Sequence, residues 1–262
     1  MMQDVEPLLD VADQQALEAE LARLKASFDK LNKEFGDFAY IVSHDLKAPL
    51  RGVKTIVEWI AADYSEALDE EGREQLAMLV NRVERMHNLI EGVLQYSRIG
   101  RIKEEIEAVD LNEAVAEVLD QQERPAAVQI TVQPDLPVVQ AEPARIRQAF
   151  VHLIDNAVKF MDKPDGRVHV ACEDDGDFWR FSVSDNGPGI EAQHFEKIFR
   201  MFQTLVPRDE RESTGVGLTL ARKIVELNGG RIWLESEAGK GTTFYFTYPK
   251  ELPKGAPSVG SA

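Results

Sequence analysis

Residues 31–60 read LNKEFGDFAYIVSHDLKAPLRGVKTIVEWI, and apolar residues recur in them at Leu31, Phe35, Phe38, Val42, Leu46, Leu50, Val53, Val57 and Ile60. Steps of three and four keep one apolar seam on one face of a helix, the pattern that pairs helices side by side. The seam extends upstream through Leu17, Leu21, Leu24 and Phe28. Downstream, after an acidic break at 63–72, it reappears at Leu76, Leu79, Val83, Met86, Ile90, Val93 and Ser97. No proline occurs between Leu50 and Arg124. The reading is two long helices joined by a turn: an antiparallel hairpin with apolar surface left over. Two hairpins complete a four-helix bundle, so a homodimer is expected. The same seam could instead pack on the chain's own second half.

Within that stretch, His44 lies about 200° around the helix from Val42 and points away from the seam. Pro49 cannot donate to the carbonyl of Asp45, and a local bend is expected there. Asp45 can hold one ring nitrogen of His44 and leave the other free as a nucleophile at neutral pH. An ordinary surface histidine beside a kink would read the same way.

Outward from the hairpin the grammar changes. Eight of the 17 glycines fall between Phe181 and Gly241, and prolines recur from Pro125. Strands are expected at 108–109, 128–132, 168–172, 178–184, 232–235 and 243–248. Helices are expected from Asp110 to about Gln121, over 145–161 and over 213–228. Strand hairpins beside helices imply an α/β sandwich with helices on one face of a mixed sheet. The division expected is 1–37 a coiled-coil arm, 38–103 the hairpin, 104–250 the α/β domain and 251–262 a tail of disordered composition.

Composition narrows the classes. The chain has 262 residues with 30 Lys+Arg against 46 Asp+Glu, a net charge of −16. Such a surface repels nucleic-acid backbones and anionic lipid. Cys172 is the single cysteine, which excludes an internal disulfide or a Cys-based zinc cluster. No stretch is apolar enough for membrane insertion and no signal peptide is apparent, so a cytoplasmic protein is expected.

Several motifs in the second half converge on a nucleotide. Asp185-Asn186-Gly187-Pro188-Gly189 ends a strand, where a carboxylate can accept from an exocyclic amine. Gly215-Val216-Gly217-Leu218 opens a helix, where free amides and the dipole favour phosphate. Its spacing fits neither a dinucleotide fingerprint nor a P-loop. His152, Asn156 and Lys159 share a helix face; an amide oxygen such as that of Asn156 suits Mg²⁺, and Lys159 would meet phosphates. Phe195, Phe199 and Phe202, followed by Arg208 and Arg211, look like a lid held by aromatic plugs, although phenylalanines at this spacing also serve as plain core.

Taken in order, these segments resemble the transmitter core of two-component sensor histidine kinases. The histidine box resembles residues 44–50, the asparagine box 152–160, the first glycine box 185–189, the phenylalanine box 195–202 and the second glycine box 215–218. Gly239-Lys240-Gly241-Thr242-Thr243-Phe244 matches the last glycine box, and the wording HDLKAPLRGV and IFRMFQ is closest to the phytochrome-like branch. The resemblance implies a dimerisation and phosphotransfer hairpin followed by a Bergerat-type ATP-binding domain that uses ATP and Mg²⁺. It implies His44 as phosphoacceptor with Asp45 as its orienting base, Asn156 on Mg²⁺, Lys159 on phosphates and Asp185 on the adenine amine. Gly187 and Gly189 would shape the adenine corner, Thr243 would help through water and Phe160 would lie near the ring. Gly215, Gly217 and Leu218 would offer amides to the phosphates. The implied partner is the receiver domain of a response regulator, with a separate sensor reaching the chain through the N-terminal arm.

Three departures stand out. Ala48 occupies a position where many members carry Thr or Asn, which removes a side chain associated with dephosphorylating a partner. His152 replaces a frequent Asn, and the 37 residues before Phe38 offer only a coiled arm rather than a folded sensor. On the residues alone, two rivals stay open: another ATPase of the same superfamily, and a nucleotide-free dimeric scaffold.

Overall fold

A computed structural model describes residues 11–64, 67–101, 105–122, 125, 127–205 and 213–251. The first ten residues of the arm, Arg208 and Arg211 of the lid segment and the tail from 252 onward lie outside the described residues. Helix α1 (Val11–Asp63) and helix α2 (Glu70–Arg98) form the expected hairpin. Asp69 caps α2 by accepting from the Gly72 amide at 2.8 Å. Pro49 sits inside α1, which continues for fourteen residues beyond it without ending.

The seam read from the sequence separates into two faces. Ala39, Ser43 and Val57 on α1 and Val83 and Leu94 on α2 are almost wholly buried. Leu17, Leu21, Leu24, Phe28, Leu31, Phe35 and Phe38 are 45–69% exposed, and Val42, Leu46, Val53, Ile60, Leu79 and Met86 are open as well. The chain thus covers one face of its hairpin itself and leaves the other apolar. Ion pairs cross between the helices: Lys47 with Glu91, Lys54 with Glu84 at 2.9 Å, and Asp37 with Arg101 beyond the end of α2 at 2.8 Å. Among the described residues no helix is long and apolar enough to cross a membrane.

The α/β unit holds strands β1 (Glu107–Asp110), β2 (Gln129–Val132), β3 (Val138–Ala141), β4 (Arg167–Asp175), β5 (Phe178–Asp185), β6 (Ile232–Glu237) and β7 (Gly241–Pro249). Helices α3 (Leu111–Gln121), α4 (Pro143–Lys159) and α5 (Gly217–Leu227) complete it. Five strands form a mixed sheet in the order β2-β4-β5-β7-β6, with β2 parallel to β4 and the rest antiparallel. β3 was not expected from the sequence. It pairs antiparallel with β1 in a separate two-stranded sheet. The expected turn at 173–177 shrinks to Gly176 and Asp177, because β4 and β5 pair as far as Asp175 and Phe178.

The apolar sides of α3 and α4 pack on one sheet face. Phe150, Phe181 and Phe246 are fully buried with ring centroids 4.9–5.6 Å apart. A second, smaller cluster joins Ile99, just past α2, to Ala149, Val216, Leu220 and Ile224, with Tyr96 and Phe202 packed against it. This cluster seats the α/β unit on the hairpin, and Lys223 tightens it by donating to the Tyr96 carbonyl at 2.8 Å. That carbonyl belongs to the last turn of α2, where intrahelical donors run out.

Candidate functional site

Helix α4 divides its residues by period: Phe150, Leu153, Ile154, Ala157 and Val158 go to the core, while His152, Asn156 and Lys159 line a cavity of about 380 Å³. That volume falls within the range of small-ligand sites. Asp185 at the end of β5 and Gly189, Gly215, Gly217, Leu218 and Phe160 line the same cavity. The sequence spreads these residues over nearly seventy positions, from His152 to Leu218, and the fold brings them together.

The Asp185 carboxylate accepts from the Gly187 amide at 2.8 Å and from the Thr242 amide at 3.3 Å. Burial raises its pKa above the ordinary carboxylate value, and those two amides oppose the rise. Gly187 lies behind this carboxylate rather than in the cavity lining: a Cβ there would stand 2.9 Å from the Asp185 oxygen. At Gly189 the backbone has φ +71, and a Cβ would come within 2.1 Å of the Glu237 carbonyl oxygen, so no side chain fits.

Thr243 needs a correction. Strand side chains alternate between faces. Thr242 pairs with Asp185 and lines the cavity, whereas Thr243 pairs with Ser184 and its hydroxyl bonds that serine at 2.9 Å. The cavity-lining threonine of the last glycine box is therefore Thr242.

Helix α5 begins at Gly217, four residues later than its sequence pattern implied. Gly215 holds φ +66 against the Gln203 carbonyl oxygen, 2.5 Å from where its Cβ would be, and its own carbonyl accepts from Phe202. No side chain caps the α5 N-terminus. Its first-turn amides are left facing the cavity, the arrangement in which an anion supplies the missing acceptor. Of the three phenylalanines, Phe199 is core, edge-on to Phe244 at 6.3 Å, and Phe195 packs on the same core. Phe202 packs in the cluster between hairpin and α/β unit.

His152 lines the cavity with its Nε2 buried and without a hydrogen-bond partner. Burial pushes its pKa down to about 4, so the ring is neutral at pH 7. Among the described residues no group of three His, Cys, Asp or Glu could hold a metal alone. The donor set fits a cation that arrives with phosphates and needs few protein oxygens, as Mg²⁺ does, with Asn156 as the amide available in the cavity wall.

The remaining wall is unanticipated: Asn88, Glu91, Gly92 and Gln95 of α2 close the cavity from the hairpin side. Gly92 permits this approach, since a Cβ on it would sit 2.7 Å from a Val216 methyl. Across the hairpin, His44 and Asp45 are both 74% exposed and neither lines the cavity. The His44 Nδ1 lies 3.1 Å from an Asp45 carboxylate oxygen, which leaves Nε2 outward.

Comparison with known proteins gives two family matches along the chain. Residues 36–102 match the His Kinase A (phospho-acceptor) domain family. Residues 141–252 match the histidine kinase-, DNA gyrase B- and HSP90-like ATPase family, and the two matches together span more than half of the chain. Cyanobacterial phytochrome B of Nostoc sp. is 42% identical over 233 residues, which are 87% of this chain and 31% of the relative. The full-length ShkA crystal structure, in complex with AMPPNP, aligns over 83% of this chain and 46% of that one, with TM-score 0.61 and 27% identity. The crystal structure of histidine kinase ThkA in complex with response regulator protein TrrA aligns over 95% of this chain and 68% of that one, with TM-score 0.55 and 25% identity. The chain spans about a third of the curated relative's length.

Proposed function

This chain belongs to the histidine kinases, and from that premise we propose that it is an ATP-dependent protein histidine kinase that phosphorylates its own His44 and passes the phosphoryl group to a response regulator. The observation that carries the reading is the single cavity in which Asp185, Asn156, Lys159 and the uncapped α5 N-terminus converge, walled on its open side by the hairpin that bears His44. Asp185 accepts from the adenine amine, with Gly189 and Thr242 shaping that corner and Phe160 beside the ring. Lys159 and the amides at Gly215, Gly217 and Leu218 take the phosphates. Mg²⁺ held at Asn156 supplies charge neutralisation at the polyphosphate.

Asp45 keeps the Nδ1 proton of His44, and Nε2 attacks the terminal phosphorus. A nitrogen–phosphorus bond forms, the bond to the bridging oxygen breaks, and ADP leaves with that electron pair. Phosphoryl transfer of this kind depends on positioning and charge stabilisation. Its product, phosphohistidine, then donates to an aspartate of a receiver domain docking on the hairpin. The open apolar face of α1 and α2 is the dimer seam, and the arm from Leu17 to Phe38 continues it toward a sensor. The domain division is 38–103 for phosphotransfer and 104–250 for ATP binding.

The test is incubation with γ-labelled ATP and Mg²⁺. H44Q should take up no label and keep its nucleotide affinity, while D185N should lose both. Label persisting on H44Q, or free phosphate released with no labelled protein, would contradict the reading.

A further inference from the structure

The hairpin's geometry assigns the direction of transfer between subunits. We propose that the terminal phosphate passes within one chain, from the nucleotide cavity to the His44 of the same hairpin. The inference rests on the kinase reading above and adds which copy of His44 is the acceptor.

Height comes first. In the three cross-hairpin ion pairs (Asp37 with Arg101, Lys47 with Glu91, Lys54 with Glu84) each step forward on α1 is matched by an equal step back along the other strand of the hairpin. His44 therefore falls level with Leu94. The α2 residues in the cavity wall, Asn88 to Gln95, lie within about two turns of that level.

Side comes second. On α1, Ser43 and Lys47 mark the direction facing α2, and His44 projects about a quarter turn clockwise from it when viewed from the α1 N-terminus. α2 runs antiparallel, so seen from the same end its residues advance anticlockwise. Val83 and Leu94 mark its direction toward α1, and Asn88, Glu91 and Gln95 project between a fifth and a third of a turn anticlockwise from that, by the same period of about 100° per residue. Both rotations lead to the same flank of the hairpin. Among the exposed apolar residues, Val42, Leu46, Val53 and Ile60 on α1 and Leu79 and Met86 on α2 rotate the opposite way, to the other flank, with Tyr40 turned toward the His44 side. A partner hairpin docked there carries its own His44 on the far side of the bundle by two-fold symmetry. The Lys47–Glu91 pair lies on the near flank, with Glu91 in the cavity wall and Lys47 one turn from His44.

Heterodimers of differently tagged chains, purified through both tags and given γ-labelled ATP and Mg²⁺, test this directly. Pairing H44Q with D185N leaves one working cavity and one acceptor on different chains; no label is expected, and label on the D185N chain would overturn the proposal. Pairing wild type with the H44Q/D185N double variant puts cavity and acceptor on one chain; label at the wild-type rate per intact chain is expected, and its absence would overturn the proposal. A wild-type homodimer that takes up no label would sink the kinase reading itself.

Discussion

The hairpin and the α/β unit are stabilised in different ways. The α/β unit buries its own core, with Phe150, Phe181, Phe244 and Phe246 fully enclosed between helices and sheet. The hairpin encloses only a narrow stripe and exposes a run of leucines and phenylalanines 45–69% open. One region covers its apolar surface within a single chain, and the other leaves an apolar face that the proposed dimer would cover. In the proposed reaction, nucleotide binding falls to the region that buries its own core and the phosphoacceptor to the region that leaves an apolar face open.

The largest effect should come from spoiling the seam. A double charge substitution, Phe28→Asp with Val53→Asp, should raise the dimer dissociation constant by roughly ten-thousandfold or more, since the four carboxylates of the two chains must leave water to enter an apolar interface. Sedimentation velocity reads the loss, and nucleotide affinity should be unchanged. A dimer that survives would mean that the exposed seam is not the interface. Next, Phe181→Ala should cost the α/β unit about 3–5 kcal/mol, the range for emptying a buried aromatic site. Chemical denaturation should then show the α/β transition moving earlier while dimer formation by the hairpin persists; joint collapse would show that the two regions are one cooperative unit.

A smaller effect concerns pH. The His152 pKa in the folded chain is about 4, below the ordinary value of 6.5. Between those values the unfolded chain binds a proton that the folded chain refuses, so stability falls as pH drops through that window. The full loss is on the order of 3 kcal/mol. H152N should flatten this slope in denaturation curves measured from pH 7 to pH 4, and an unchanged slope would show that other groups set it. The least effect is expected at Lys54, which bonds Glu84 at 2.9 Å and whose pKa that hydrogen bond raises. The pair is open to solvent on both sides, and Lys54→Gln should leave the denaturation midpoint unchanged because exposed pairs contribute little.

Much of this was legible in the sequence because the signals were local. Heptad steps gave the hairpin, and His152, Asn156 and Lys159 declared a shared helix face that the cavity does use. What escaped depended on partners distant along the chain. β3 is four residues long and acquires its identity only by pairing with β1 about thirty residues earlier. The choice between Thr242 and Thr243 turned on strand register, since one step moves a side chain to the opposite face. The division of the α1 seam into a face for α2 and an open apolar face could not be read from spacing, because Ala39 and Ser43 are small and carry little hydrophobic signal. The α2 wall of the cavity was hidden for a similar reason: Gly92 matters by what it lacks.

The central claim is that the terminal phosphate of ATP ends on one imidazole. Peptide mapping of the protein after reaction with γ-labelled ATP and Mg²⁺ tests it most directly. The account predicts a single phosphorylated peptide containing residue 44, with the label stable in alkali and lost in acid. Label on a serine, threonine or aspartate, or on a histidine in another peptide, would contradict it.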